Sequence, residues 1–450
     1  MTMTQQKTSQ IKHPPQLTIG GWVGMVTQTL LLVVTALVPF MFAAVSRGTT
    51  TVYATIYTVP KFYWLEAVVV LAWICWNATR RPGRATLAVY WPLLILCGLA
   101  FLSAAWALLP TLAVVTAAHL TVMAMFAVMI GSELKDSQFR ATLVIVLLGS
   151  ATVQSIWGIA QFVLQRDLGL QRLGESLLTP GGFQIASLAG NPPLLRAYGV
   201  FPHPNVLAGF LGLGLVIGIA VLFSERLRRW YAQLGIGVVL GVIAAGLLLT
   251  YSRAGVVFGG LAGLAVTGAG LWIFRRFPWG LLLIIPCLLI TFLPNRTLTV
   301  ERAGGGDVAN QAIPDRLVQF QIAEQMITAR PYGVGAGNYA PTADVFRPDL
   351  GGYEKQPVHN VVLLLATELS ILAVAMLGIF VGRGGWNVIK RRLSPAGDPL
   401  AGIVALSATG FVLLTGLTDH YWLTLPQGLL LAGLVLGMVG AFCYPSTTRN

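Results

Sequence analysis

A histidine at the mouth of one apolar run, and arginines in the polar segments that flank others, are the side chains of this 450-residue chain best suited to chemistry. His359 closes the segment Pro357-Val358-His359-Asn360, immediately before an apolar run that begins at Val361. Arg196 opens Arg196-Ala197-Tyr198-Gly199-Val200-Phe201-Pro202-His203-Pro204-Asn205, where two prolines fix the backbone, so Arg196, His203 and Asn205 are presented at a helix mouth and not on a coil. Arg253 lies in the short turn Thr250-Tyr251-Ser252-Arg253-Ala254-Gly255, Arg316 follows Pro314-Asp315, and Thr418-Asp419-His420-Tyr421-Trp422 adds an acid and a second histidine. Guanidinium forks grip phosphate oxygens, and an imidazole titrates near neutral pH. Together they suit transfer chemistry. An arginine pair stabilises a departing diphosphate, and a neutral histidine accepts a proton from an incoming hydroxyl, worth roughly a hundred- to ten-thousand-fold in rate. Blander roles stay open: capping for His203, Asn205, His359 and Asn360, and snorkelling to lipid phosphate for Arg253. No His-x-x-x-His spacing occurs among these residues, so no metal site is expected.

The elements that hold these residues must lie in a membrane. The chain is 56% apolar and only 10% charged, with a mean hydropathy of +0.75, far from the roughly 25% charged residues of a soluble domain. Apolar runs long enough to cross a bilayer recur along it. The expectation is an all-α polytopic membrane protein forming one integral domain over residues 1–450. Its twelve spans lie near 21–45, 62–78, 87–108, 111–131, 140–164, 204–223, 232–250, 254–274, 279–294, 359–382, 399–417 and 421–442. Residues 1–20 form a cytoplasmic tail, because the run that follows is too long for a cleavable signal. Two long outer loops remain, 165–203 and 295–358, the second partly helical. Cys75, Cys97, Cys287 and Cys443 fall in or beside apolar runs and show no disulfide or metal spacing.

With the amino terminus inside, seventeen of the 29 Lys and Arg fall on the cytoplasmic face against four acids, which accounts for a net +13. That is the positive-inside bias. The charge comes as short clusters between spans and not as one basic face, so nucleic acid is excluded as a partner and membrane lipid is the expected one. Both termini are then cytoplasmic. Arg196, Arg253, Arg316, His359 and Asp419 all fall on the outer side, a coincidence that the topology was not chosen to produce.

Within the second outer loop, Gly304-Gly305-Gly306 lacks the Lys-Ser/Thr of a phosphate loop, and no strand precedes the glycines of Arg330-Pro331-Tyr332-Gly333-Val334-Gly335-Ala336-Gly337-Asn338-Tyr339. The latter read as a tight turn. Pro314-Asp315 is expected to open a helix that ends before Arg330-Pro331, with Arg316, Phe320, Ala323 and Ile327 on its docked face. In the amino-terminal third, Glu66 reads as a paired interfacial carboxylate and His119 as a packed, hydrogen-bonded histidine.

The order of R-A-Y-G-V-F-P-H-P-N, Y-S-R-A-G, the D-R helix leading into R-P-Y-G-V-G-A-G-N-Y, V-H-N with Glu368 beyond it, and D-H-Y-W-x-x-x-P-Q-G resembles the O-antigen ligase and O-antigen polymerase family of bacterial envelope glycosyltransferases, over residues 190 to 435. The resemblance implies a multi-pass enzyme of the bacterial cytoplasmic membrane whose site faces the periplasm. It would move a glycan from undecaprenyl diphosphate to an acceptor hydroxyl on a lipid A core, a growing glycan or a protein. It further implies metal-independent, inverting transfer without a cofactor. His359 takes the place of the catalytic base, Arg196 and Arg316 bind the diphosphate with Arg253 a third, and His203, Asn205, Asn360, Asp419 and His420 are further pocket candidates. Ligase is preferred and repeat-unit polymerase is the alternative. From other classes, a flippase or carrier of lipid-linked oligosaccharide would place its polar residues near the bilayer midplane and show broken helices in repeated positions. A purely structural or sensory membrane protein would need no such outer constellation.

Overall fold

The computed structural model describes residues 19–40, 43–45, 57, 59–80, 83–182, 185–188, 192–304, 307–352, 354–392 and 399–443. The tail placed at 1–20 lies outside these residues except for its last two, as do Gly305 and Gly306. The helices are α1 (Ile19–Leu37), α2 (Trp64–Arg80), α3 (Arg84–Leu102), α4 (Pro110–Glu133), α5 (Ser137–Leu164), α6 (Pro204–Val221), α7 (Trp230–Leu249), α8 (Arg253–Phe274), α9 (Ile284–Phe292), α10 (Arg296–Gly304), α11 (Asp307–Ala329), α12 (Tyr339–Phe346), α13 (Val361–Arg392), α14 (Pro399–Gly416), α15 (Tyr421–Thr424) and α16 (Pro426–Ala441). Among the described residues, strands form only two short antiparallel pairs, β1 (Ala43–Val45) with β2 (Lys61–Tyr63) and β3 (Ser187–Leu188) with β4 (Leu194–Leu195). The molecule is an all-α polytopic membrane protein.

Among the described residues, eight helices are long and apolar enough to span a bilayer, or nine if Trp279–Phe292 and Arg296–Arg302, bent by 88°, make one broken span. The expected count of twelve is not reached on this basis. α14 and α16 sit where spans were placed but are shorter, and the 17-residue α2 carries Glu66 and Arg80.

α6 is the inner post of the bundle, with 89% of its span buried. Glycines let its neighbours approach closely: a Cβ at Gly212 would lie 2.3 Å from the Phe411 ring of α14, and one at Gly209 2.4 Å from the Tyr421 hydroxyl of α15. Local chemistry starts the helices around it. Pro204 occupies the first turn of α6 behind the His203 cap, Ser252 caps α8, and the Asp136 carboxylate caps α5 through the Gln138 and Phe139 amides. The consequence for function is that the start of α6 is pressed against the α14–α15 link, and Asn205 against Asp419.

The segment from α11 to the start of α13 packs as a small core of its own. Ile322, Ala323 and Met326 of α11, Val334, Tyr339, Ala343, Val358 and Leu364 are all fully buried together. The glycine-rich turn fits onto α13 because Gly333, Gly335 and Gly337 adopt φ of 94°, 107° and 69°, which side-chain-bearing residues rarely reach. α13 itself breaks at Ser370 (φ 76°, ψ 169°). At that break the turn supplies donors: Val334 N–H bonds the Thr367 carbonyl and Gly335 N–H the Glu368 carbonyl, both at 2.9 Å. The Glu368 carboxylate accepts from the Gly337 and Tyr339 amides at 2.8 and 3.3 Å.

Two local expectations change. α11 begins at Asp307 and carries Pro314 in its interior, so the proline does not open the helix. Its docked face is also turned from the one expected: Gln319, Ile322, Ala323 and Met326 are buried, whereas Phe320 is 37% exposed. The helix does end at Ala329, before Arg330-Pro331. Elsewhere, Glu66, expected to be interfacial or paired, and His119, expected to be packed and hydrogen-bonded, prove to be each other's partners, His119 Nδ1 to Glu66 Oε1 at 2.7 Å. The first outer loop is gathered by Glu175, which accepts from the Trp157 indole, the Gln161 amide and the Leu168 and Leu170 backbone N–H groups.

Candidate functional site

One end of the bundle collects residues from five places in the chain. Arg196 leads the loop into α6, and that loop is pinned to the end of α7 by Ala197 N–H bonding the Leu249 carbonyl at 3.0 Å. The buried Arg196 guanidinium donates through Nε to the Thr250 carbonyl at 2.7 Å and through one Nη to Asn205 Oδ1 at 3.1 Å. Asn205 passes the link on, its amide donating to Asp419 Oδ2 at 2.8 Å. Asp419 Oδ1 accepts the His420 N–H, also at 2.8 Å. A fork with five N–H groups has spent two of them here, so Arg196 retains donors for an anion.

His359 stands just ahead of α13, between fully buried Val358 and the capping Asn360. Its Nδ1 lies 2.7 Å from Gln319 Oε1 of α11. A carbonyl oxygen only accepts, so Nδ1 carries the proton and Nε2 presents its lone pair. His420 is oriented in a similar way: its Nδ1 meets Thr424 Oγ1 at 2.7 Å, and that hydroxyl also lies 3.2 Å from the His420 carbonyl. The two imidazole rings pack edge to face with centroids 4.8 Å apart.

Electrostatics keep these histidines neutral at physiological pH. Burial, then the Arg196 charge, pushes His203 down to about 3. Burial likewise takes His420 to about 3, and His359 is lowered by burial and by Arg316 against the opposing pull of Asp419. Burial works against an Asp419 charge, but the histidines around it and the Asn205 amide outweigh burial and hold the carboxyl at about 2. Arg196 is drawn down to about 9, first by burial and next by the charge of Arg302. Arg302 is itself lowered, first by burial and then by the charges of Arg253 and Arg316. Arg196 thus feels the charges of Arg302 and Arg253 against that of Asp419, and Arg302 those of Arg253 and Arg316. That imbalance is what a dianionic ligand would relieve.

The expected residues therefore sort into three kinds. Arg196, Asn205, Asp419, His420 and His359 are brought together. Arg316, half-buried on α11, and Arg253, exposed at the first residue of α8, join through charge. His203 and Asn360 serve local structure: His203 Nδ1 accepts the Asn205 N–H at 3.1 Å, and Asn360 spends its side chain on the Leu363 N–H and the Leu417 carbonyl. Three participants were not foreseen. Gln319 is signalled by being three residues from Arg316 on a helix, and Thr424 by its i+4 spacing from His420. Arg302 had no signal beyond its charge.

His359, Asp419 and His420 also bring one ligand atom each within 4.8 Å of one another, a grouping able to hold a metal ion. Short-range sequence spacing could not reveal it, since 60 residues separate the first two members.

Residues 238–378 match the family model described as O-antigen ligase. That stretch takes in α8, the second outer segment and His359. No curated protein matches the chain at a significant level.

Proposed function

Because the chain belongs to the O-antigen ligase/polymerase family, we propose that it is a ligase that moves a glycan from undecaprenyl diphosphate to an acceptor hydroxyl at the outer face of the cytoplasmic membrane. The observation that carries this reading is the conjunction of an unneutralised arginine group with an imidazole whose Nε2 lone pair is open. Arg196, Arg316 and Arg253 take the diphosphate oxygens. His359 Nε2 accepts the acceptor's hydroxyl proton while that oxygen attacks the anomeric carbon. The bond from the anomeric carbon to the diphosphate oxygen breaks, and the electron pair leaves with the lipid diphosphate. Attack opposite the departing group inverts the anomeric centre. Asp419 stabilises the imidazolium that forms, which is the role its ionised state near His359 suits.

A carrier of lipid-linked oligosaccharide is disfavoured by the break at Ser370. Its released carbonyls are occupied by the glycine-rich turn and do not line a path across the membrane.

The test uses purified protein in lipid with a diphosphate-linked glycan donor and a candidate acceptor. His359→Ala should lose a hundredfold or more in kcat, on the order of what general-base catalysis supplies; transfer at the wild-type rate by a folded variant would remove His359 from the mechanism. Capture of the glycan by a separate lipid or protein acceptor identifies a ligase, and lengthening of the lipid-linked glycan identifies a polymerase. The orientation is checked at the exposed Asp349. A cysteine there, in a background without other cysteines, should react with a membrane-impermeant label from outside the cell, and reaction only after permeabilisation would invert the topology.

A second reading rests on the His359, Asp419 and His420 grouping. Two histidines and a carboxylate make a recognised ligand set for a divalent cation, and each histidine already engages an outer partner through its Nδ1, as metal-binding histidines do through their other ring nitrogen.

A further inference from the structure

Arg302 stands apart from the arginines that sequence pattern picks out, yet it is the one whose chain path is most deliberately turned toward the site. The helical run Trp279–Phe292 gives way to Arg296–Arg302 through a bend of 88°, so α10 crosses the end of the bundle and does not continue along it. Leu298 anchors it to the main hydrophobic core. Thr299, on the next position, is close enough to act on Tyr251 in the turn between α7 and α8, while its hydroxyl donates to the Asn295 carbonyl at 2.9 Å. Arg302 follows Thr299 by three residues and therefore lies on the same face, above the turn that carries Arg253.

There, Arg302 carries a donor that the described residues do not meet. Its Nε is buried and has no hydrogen-bond partner among the described residues, an arrangement proteins rarely leave uncorrected. The charges acting on it are those of Arg253 and Arg316, and it in turn is the foremost charge acting on Arg196. A buried donor beside like charges is unfavourable, and an anion bound among them would relieve it.

We infer that Arg302 is a fourth anion-binding residue, delivered by α10 to the diphosphate group of the lipid-linked donor alongside Arg196, Arg253 and Arg316. This rests on the proposed transferase reading of the same site and adds to it a residue and a distinction. A clamp of four arginines should favour two phosphate groups over one, so it discriminates a polyprenyl diphosphate from a polyprenyl monophosphate.

The full-length protein in nanodiscs, wild type and Arg302→Gln, is titrated with polyprenyl diphosphate and with polyprenyl monophosphate, and each ligand-free protein is melted. The expected result is a Kd for the diphosphate weakened about tenfold by Arg302→Gln, as for loss of a charge-assisted bond, with a much smaller change for the monophosphate. Arg302→Lys should recover part of the loss. The ligand-free Arg302→Gln protein should melt at or above the wild-type temperature, because it sheds an unpartnered cation. Wild-type binding of the diphosphate with an Arg302→Gln Kd within twofold of it would overturn the clamp while leaving the transferase reading intact. A destabilised Arg302→Gln protein whose losses are equal for both lipids would assign Arg302 to structure and equally overturn it. If wild type binds neither lipid, the diphosphate site falls, and the clamp with it.

Discussion

Gln319→Met removes the acceptor that His359 Nδ1 meets, and the consequence for the imidazole can be worked out from the geometry. Gln319 is fully buried, and its side-chain oxygen sits 2.7 Å from His359 Nδ1. Methionine matches its length without offering a strong acceptor. The backbone carbonyl of residue 319, which receives the Tyr339 hydroxyl at 2.8 Å, is untouched, so the docking of α11 on α12 should persist. What changes is the cost of keeping a proton on Nδ1. Leaving a buried donor unpaired costs about 1 to 3 kcal/mol, and the imidazole avoids that cost by moving its proton to Nε2. In that tautomer Nε2 is a donor and cannot accept the acceptor's proton. Should the tautomer balance shift by the full amount, the competent fraction and hence kcat fall by about 5- to 150-fold. KM for the donor should hold, since the arginines that bind it are unchanged. Gln319→Glu is the counterpart: a carboxylate still accepts from Nδ1, so turnover should survive, with the acid limb of its pH profile displaced upward by the added negative charge. Steady-state transfer kinetics over a pH series decide the matter. A folded Gln319→Met protein with wild-type kcat, or equal losses in the Met and Glu variants, would show that Gln319 does not set the tautomer.

The histidine environment predicts a second behaviour. His359 is lowered from its ordinary value, so kcat/KM should stay level through neutral pH and fall only on acidification below about 6.5, as the base becomes protonated. Asp419 raises His359 and Arg316 lowers it, so Asp419→Asn should move the acid limb to lower pH and Arg316→Gln to higher pH; shifts in the same direction would refute the charge assignment. Stability should follow the buried His203 and His420. Both hold their imidazoles near 3, below the unfolded value, so the unfolded chain takes up more protons between about 6.5 and 3, and the melting temperature should fall as pH drops through that window. Constant melting across pH 7 to 4.5 would contradict their burial as neutral groups. The metal question is answered by chelation: if His359 acts as a base, transfer should survive dialysis against a strong chelator unchanged. Loss of activity restored by a divalent cation would favour the His359, Asp419 and His420 cation site.

How much of this was legible in the sequence depended on the range of the interaction responsible. Helical class follows from composition, because a backbone in lipid must satisfy its own hydrogen bonds. The positions of His359 and Arg196 followed from polar residues sitting where apolar runs begin. Span number was less legible, since hydropathy does not reveal that Trp279–Phe292 turns through 88° or that α13 breaks at Ser370. The docked face of α11 was read from apolar spacing and came out turned, because its inner face holds Gln319, a polar residue buried for the sake of His359. Arg302 could not be ranked above other loop arginines without the bend that brings it over the α7–α8 turn. Contacts such as Asn205 to Asp419, 214 residues apart, leave no local signature at all.

That last contact explains why the site can tolerate its own charge. Arg302 and Arg253 repel the charge of Arg196, which is buried. Arg196 is held by the Thr250 carbonyl and, through Asn205, by Asp419, so the Asp419 carboxylate is tied by hydrogen bonds to the most buried of these cations. Asp419 is simultaneously the one group that raises His359 toward a useful basicity. A single carboxylate is thus shared between keeping an arginine charged and keeping a histidine able to accept a proton. The arrangement also limits what substitution can separate. Asn205→Ala would break the shared link without touching either arginine or histidine chemistry directly, freeing Asp419 to turn toward His359 while leaving Arg196 with one partner fewer. Donor binding and proton transfer should then change together, which is the behaviour expected of one connected site and not of two adjacent ones.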